Sequence, residues 1–436
     1  MIPRAIALLL LSAALSAASE ALLNAVDSDD LPTVRDLVKA GEGVAETNRY
    51  NVTPLSLACR NGNAEMVKLL LDAGADPNQK LNGGETPLMT AARTGSAGCI
   101  RLLLEKGAEI DAKERGQTAL MWAAAKGHAD VVKLLLDKGA DFKTSLDSGF
   151  TAFLFAVRAG HSPVVKIFLE AGTSSSEAAK VRHIDDRSMR DNTSPLMLAT
   201  ENGHLALALE LIAAGADPND MRSGFSPLHA LTWVRKTPSG DGPDGIPPPP
   251  ISGKITGTQF VAEIVKRGAD VNIRQTAGGG GGPRLNLKDA TPFLMAAQTD
   301  DLPLLKALID AGADPNIPNA DGTTPLMAAA GVGIDAPGED AGSEEEAIKT
   351  VNYLLELGAD INATNKLGET AMHGAAYKGV AKVIRLLNAR GADPAVWNRK
   401  NSNGWTPLLI AQGHRFGNFR PIMETQKALE EILNEQ

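Results

Sequence analysis

The stretch Thr53-Pro54-Leu55-Ser56-Leu57-Ala58-Cys59-Arg60-Asn61-Gly62 is a short helix written out with its own start and stop. A Thr hydroxyl at the start accepts a hydrogen bond from one of the N–H groups that a helix leaves unpaired. Pro54 occupies the first helical position, where its missing N–H removes no bond. Leu55, Ala58 and Cys59 fall on one stripe, and the small side chains there let a neighbouring helix come close. Gly62 ends the helix after about two turns. Met66, Val67, Leu69, Leu70 and Leu71 then give a second amphipathic helix, closed by Gly74. Asp76-Pro77-Asn78 and Asn82-Gly83-Gly84 follow with turn chemistry.

The same start recurs nine times, and in seven of the nine the capping Thr or Ser stands 21 residues before the second glycine. These are Thr53 to Gly74, Thr86 to Gly107, Thr118 to Gly139, Thr151 to Gly172, Ser194 to Gly215, Thr291 to Gly312 and Thr370 to Gly391. A period of about 33 marks a stack of repeats rather than a set of globular domains. Gly-His recurs at Gly127-His128, Gly160-His161 and Gly203-His204. Gly-Ala-Asp recurs at 139–141, 215–217, 268–270, 312–314, 358–360 and 391–393. Pro227-Leu228-His229 and Ala371-Met372-His373 complete the pattern.

With these residues the unit resembles the ankyrin repeat. The resemblance implies an all-α solenoid of helix pairs with hairpin-like fingers, about nine full repeats plus two caps. The N-terminal cap is expected at 19–51, the repeats at 52–405 and the C-terminal cap at 406–436. Insertions interrupt the repeats at 173–193, 234–258, 273–290 and 331–344. Leu69 and Leu135, on second helices, are expected in the core. The resemblance also implies that His229 and His373 each bond a neighbouring finger. It says little about function, because one scaffold carries many roles.

The 436 residues carry a net charge of −9 and few aromatics. That balance argues against nucleic acid as partner, which needs a basic face and stacking platforms. At the N-terminus, Arg4, the apolar run 5–15 and Ser16-Ala17-Ala18 read as a secretory signal cleaved near Ala18. The alternative is a partly buried helix extending the first cap. The apolar run is too short to span a bilayer, which takes about 20 residues. On this reading the chain is exported, to a periplasm or the outside of a cell, and its mature form is not inserted in a membrane. Cys59 and Cys99 sit at core positions of the repeat and read as buried thiols, although an oxidising compartment permits a disulfide.

Pro247–Pro250 reads as a stiff, solvent-exposed excursion, with a docking peptide for an aromatic groove as the sharper alternative. Gly278–Gly282 lacks the Lys-Ser/Thr ending of a phosphate loop and reads as flexible finger. Ser343 with Glu346 reads as a capping box restarting a helix. His183 beside Asp185 and Asp186 offers half a metal site, but no second cluster faces it. No hydrolase, metalloprotease or dithiol motif occurs, so no cofactor and no catalysis are expected.

The resemblance implies binding through the fingers and the exposed side of the first helices. Positions seven and eight after each capping residue are expected to line that face, and position four its floor. Arg60, Arg93, Lys126 and Arg158 then form a basic strip, with Trp122 and Phe155 between them. Finger residues Arg49, Tyr50, Lys113 and Arg115 share the sign. Arg and aromatic side chains dominate interface hot spots. Trp233 and Tyr377 are the corresponding candidates in the second half. The expected function is a monomeric, non-enzymatic scaffold that recognises a protein partner with an acidic surface. Two alternatives stand: a protective assembly factor for an exported enzyme, and an enzyme whose site the long insertions build.

Overall fold

In the computed structural model, which describes residues 20–41, 43–181, 191–237, 249–278, 284–334, 342–415 and 420–435, each repeat realises its capping chemistry at the expected place. Thr53 Oγ1 accepts from the Ser56 N–H at 2.9 Å, and Ser56 Oγ accepts from the Thr53 N–H at 3.1 Å. Thr86, Thr118 and Thr151 repeat the first of these bonds. Gly62 closes the first helix in the left-handed region, at φ 74°. The predicted residues 1–18 and the His183 cluster lie outside the described residues.

The chain divides into two compact units, Met1–Asp191 and Asn192–Gln436. In the first, a helix through residues 20–27 and the helix Leu31–Lys39 precede four helix pairs. The first helices, Pro54–Asn61, Pro87–Thr94, Ala119–Lys126 and Ala152–Arg158, pack side by side in one layer. The second helices, Ala64–Asp72, Ala97–Glu105, Ala129–Asp137 and Ser162–Glu170, form the other. First helices are small-residue helices because they are covered on almost every side: Pro54 through Cys59 are all buried. Second helices bury one stripe only, such as Val131, Val132 and Leu135. Leu135 is fully buried as expected, but Leu69 is only half-buried, because Leu70 and Leu71 turn toward the core in its place.

Polar side chains tie each repeat to the next. The Asn78 amide donates to the Gly107 carbonyl and its oxygen accepts from the Glu109 N–H, at 2.9 and 2.8 Å. The His128 and His161 rings donate to the Arg93 and Ala125 carbonyls one repeat back. No strand occurs among the described residues, and the fingers are turns with isolated bridges such as Glu114 to Gln117. Cys59 and Cys99 are free and buried, and burial pushes both thiols above their ordinary range. They are small core side chains, not nucleophiles.

The second unit builds the same two layers. Its first helices are Pro195–Glu201, Pro227–Arg235, Pro292–Gln298, Pro325–Ala330, Ala371–Lys378 and Pro407–Ala411. Its second helices are Leu205–Ala213, Gly257–Lys266, Leu302–Asp310, Glu344–Glu356, Ala381–Ala389 and Met423–Asn434. Ser343 and Glu346 form the expected capping box. The described end of the Pro-rich insertion stays on the surface but is tied down. The Ser252 N–H donates to the Gly203 carbonyl at 2.9 Å, and Ser252 Oγ lies 2.7 Å from His204 Nδ1.

His229 and His373 make the implied finger bonds. Each Nδ1 accepts from the N–H of its capping residue, and each Nε2 donates to a carbonyl, of Ala290 and of Arg399, at 3.0 and 3.1 Å. Burial lowers both imidazoles from 6.5 to about 4. A depressed folded value means that their contribution is complete above pH 6.5 and is lost as pH falls toward 4. The buried Asp300 carboxyl, raised by burial, works in the opposite direction. With two imidazoles against one carboxyl, the thermal midpoint is expected to drop by several degrees between pH 7 and pH 4.5. A midpoint that rises over that interval would contradict the burial of these rings.

Candidate functional site

The first unit places the predicted strip on the first-helix layer, and the packing sorts its members. Position seven holds Arg60 and Arg158, both exposed, and Arg93, half-exposed; Lys126 at position eight is exposed. Trp122 and Phe155, at position four, are half-buried, whereas Leu57 and Thr90 at the same position are buried. Only the aromatic side chains are large enough to stand above the neighbouring helices.

Each member has local company. The Arg93 guanidinium lies 5.7 Å from the centre of the Trp122 ring and 2.9 Å from Glu85. Phe155 stacks on Phe150 with centroids 4.9 Å apart, and the Arg158 guanidinium sits over Phe150 at 5.3 Å. Arg60 pairs with Asp27 one repeat back. Lys126 makes no ion pair among the described residues. The strip therefore departs from the expectation of four equivalent cations. Asp27 and Glu85 offset part of its charge, and two arginines are spread over aromatic faces, an arrangement that holds a ring flat and exposed at one side. Asp27 and Phe150 were not evident as partners, yet Asp27 stands one 33-residue period before Arg60.

At position eight two exposed side chains also bond the preceding repeat. The Asn61 amide donates to the Val26 carbonyl at 2.8 Å, and the Thr94 hydroxyl to the Cys59 carbonyl at 3.1 Å. These side chains reach back to the preceding helix. The finger residues Arg49, Tyr50, Lys113 and Arg115 are exposed, with the Arg49 guanidinium 4.7 Å over the Tyr50 ring.

In the second unit most of the equivalent positions are closed, with Glu201, Asn202, Trp233 and Gln298 half-exposed. Val234, Thr299, Gly331, Val332, Tyr377 and Lys378 are all buried, which corrects the expectation that they line an open face. The cover is the chain itself. Leu285, from the insertion at 273–290, joins a buried cluster with Ala290, Leu294, Met295 and Ala328, and Trp233 and Leu287 pack against it. The Leu285 N–H donates to the Gly333 carbonyl at 3.2 Å. Val332 lies so close over Gly374 that a Cβ there would meet the Val332 nitrogen at 2.7 Å. Trp233 also meets Phe225 edge-on at 4.9 Å. The Tyr377 hydroxyl accepts from the Asn401 amide at 2.9 Å, and burial beside Glu369 holds its proton above the ordinary phenol range.

Ion pairs of decreasing burial run beside this cover. Lys378 Nζ reaches Asp300 at 2.6 Å with both side chains sealed from solvent. Arg235 forks onto Asp301 at 2.8 and 2.9 Å, and Lys236 meets Glu346 at 3.2 Å. Burial pushes the Asp300 carboxyl up, although Lys378 and Lys236 pull the other way. Among the described residues no group of three or more His, Cys, Asp or Glu is placed to hold a metal ion, and no helix is long and apolar enough to cross a membrane.

Comparison with known proteins places these repeats. A family model described as "Ankyrin repeats (3 copies)" matches residues 22–114, 75–145, 110–178 and 341–420. Models for "Ankyrin repeats (many copies)" and "Ankyrin repeat" match 293–333 and 191–222. The chain is 30% identical over 128 residues to the probable 26S proteasome regulatory subunit p28 of Saccharomyces cerevisiae, covering 28% of this chain and 50% of that protein. It is 34% identical over 154 residues to the human ankyrin repeat and SOCS box protein 6, covering 31% and 32%. It is 32% identical over 131 residues to the mouse B-cell lymphoma 3 protein homolog, covering 30% and 26%. The chain thus spans half or less of the length of these relatives.

Proposed function

Because the chain belongs to the ankyrin-repeat family, we propose that it is a non-enzymatic scaffold that recognises a protein partner through the first-helix face of its first unit. One observation supports this reading above the others. Positions seven and eight are exposed or half-exposed through residues 60–159 and are mostly buried in the second unit. The open face carries Trp122, Phe155, Arg93 and Arg158, the residue types that concentrate binding energy. Lys126 is an exposed cation with no ion pair among the described residues, which favours a partner with acidic groups. We further propose export, on the pattern of residues 1–18. The intact mass of the protein recovered from its host tests this, and a mass that retains Met1 through Ala18 would overturn it.

Trp122→Ala is expected to weaken partner binding by about 2 kcal/mol, roughly thirtyfold in Kd. The partner is to be recovered on wild-type bait and then measured by calorimetry with purified components. Lys126→Glu is expected to slow association and change its salt dependence with little effect on dissociation. It is a cleaner charge variant than Arg93→Glu, which would set a second carboxylate against Glu85. Unchanged affinity with both variants folded would move the site off this face.

A further inference from the structure

The second unit shows which kind of segment this chain's repeat face accepts, because it holds one. Residues 285–287 are non-helical and lie along the first-helix layer with their backbone bonded at both ends. The Leu285 N–H goes to Gly333, the Asn286 carbonyl accepts from the Asn319 amide at 2.7 Å, and the Lys288 carbonyl accepts from the Ala320 N–H at 2.9 Å. Leu285 belongs to the buried cluster of Ala290, Leu294, Met295 and Ala328, and Leu287, separated from it by a single residue, packs against that cluster, as Trp233 does. Met295 and Ala328 stand four residues after their capping threonines, Thr291 and Thr324, and Trp233 stands seven after Ser226. In the first unit those positions include Trp122 and Phe155 at four and Arg93 and Arg158 at seven. Met295 and Ala328 are buried under that segment, whereas Trp122 and Phe155 are only half-buried among the described residues.

We infer that the open face of the first unit takes a non-helical acidic segment in which two leucine-like side chains are separated by a single residue. The apolar pair would rest on Trp122 and Phe155 as Leu285 and Leu287 pack with the cluster that holds Met295 and Ala328. The flanking charge is reversed. The internal segment is bordered by Arg284 and Lys288, whereas the open face presents Lys126 and, on its fingers, Lys113 and Arg115. Like charge against those cations is unfavourable, and carboxylates complement them. This inference rests on the recognition reading given above and adds the conformation, spacing and charge of what is recognised.

The test uses the full chain and short fluorescein-labelled synthetic peptides read by anisotropy. One peptide carries two leucines separated by one aspartate with acidic flanks. A second has the same composition with leucines three and four residues apart, the spacing of a helix. A third has the first peptide's leucine spacing with basic flanks, as in 284–288. The first is expected to bind best, and Trp122→Ala and Lys126→Glu are each expected to weaken it about tenfold or more. If the helical peptide binds best and is lost in Trp122→Ala, the face is a recognition surface and the non-helical segment is wrong. If the basic peptide binds as well as the acidic one, the charge assignment is wrong. If no peptide responds to either variant, both this inference and the recognition reading fall.

Discussion

Lys378→Met is expected to destabilise the second unit by about 3–5 kcal/mol, the loss found when one member of a buried ion pair is removed. Lys378 leaves the end of the helix Ala371–Lys378 and meets Asp300 in the turn between Pro292–Gln298 and Leu302–Asp310. A whole repeat lies between them in sequence, that of Pro325–Ala330. The reach is possible because that helix is short. It stops at Gly331, at φ 119°, where a Cβ would collide with the Gly374 carbonyl oxygen and the Lys378 side chain at 2.6 Å. Only glycine allows both the backbone turn and the passage of the lysine stem. Among the described residues one Asp300 oxygen has no hydrogen-bond partner, so removing the ammonium leaves a buried carboxylate further short of partners. The double variant Asp300→Asn, Lys378→Met is expected to recover most of the loss, since uncharged side chains carry no such cost. Urea unfolding of the full chain, with hydrogen exchange read over 292–310 and 371–389, measures both. A single variant within about 1 kcal/mol of wild type would mean that the pair behaves like an exposed one.

Phe168→Ala is expected to cost about 3–5 kcal/mol, because a fully buried ring leaves a cavity that helix-pair packing cannot close. Phe168 lies in Ser162–Glu170 with no solvent exposure and meets Phe153 edge-on, centroids 6.1 Å apart. Phe153 belongs to the helix that carries Phe155 and Arg158. In a repeat stack each interface couples only neighbours, so the damage starts locally. Hydrogen exchange is expected to rise first over 152–170 and 119–137, and only later near residues 54–72. A uniform rise through the first unit would show that its repeats unfold as one block. Binding measured below the new melting range separates loss of the ring from loss of the face.

The fold was legible because each repeat states it locally. Thr53 with Pro54, Gly62 and Gly74 encode start, stop and second stop within one period, and the pattern returns with substitutions such as Ser194 for Thr and Ala119 for Pro. The candidate face was legible in its residue types, Trp122, Phe155 and the four cations. Its charge balance was not, because Arg60 meets Asp27 from the preceding repeat and Arg93 meets Glu85 just before its own helix. A reading one period back, and one residue before each capping Thr, carries that signal. The closure of the second unit was not legible at all. Insertion lengths show that extra chain exists, but the seating of Leu285 against Gly333, and of Val332 on Gly374, is set by packing between segments far apart in sequence. Tyr377 therefore read as a groove residue and is instead a buried phenol.

The Lys378–Asp300 pair has a mechanical consequence. Pulled from one end, a stack whose contacts join only adjacent members unravels one member at a time, and the load at each step is that of a single interface. A sealed bond that skips one member changes this. Under tension applied from the C-terminus, the helices 371–378 and 381–389 cannot peel away until the ammonium is torn from its carboxylate, and that carboxylate lies in the turn on the far side of Pro325–Ala330. When the bond gives, the short helix it straddled loses its support at the same moment. The part of the chain with the most insertions, where slack would be expected, thus behaves as a rivet, and yielding is moved to the plainer repeats on either side.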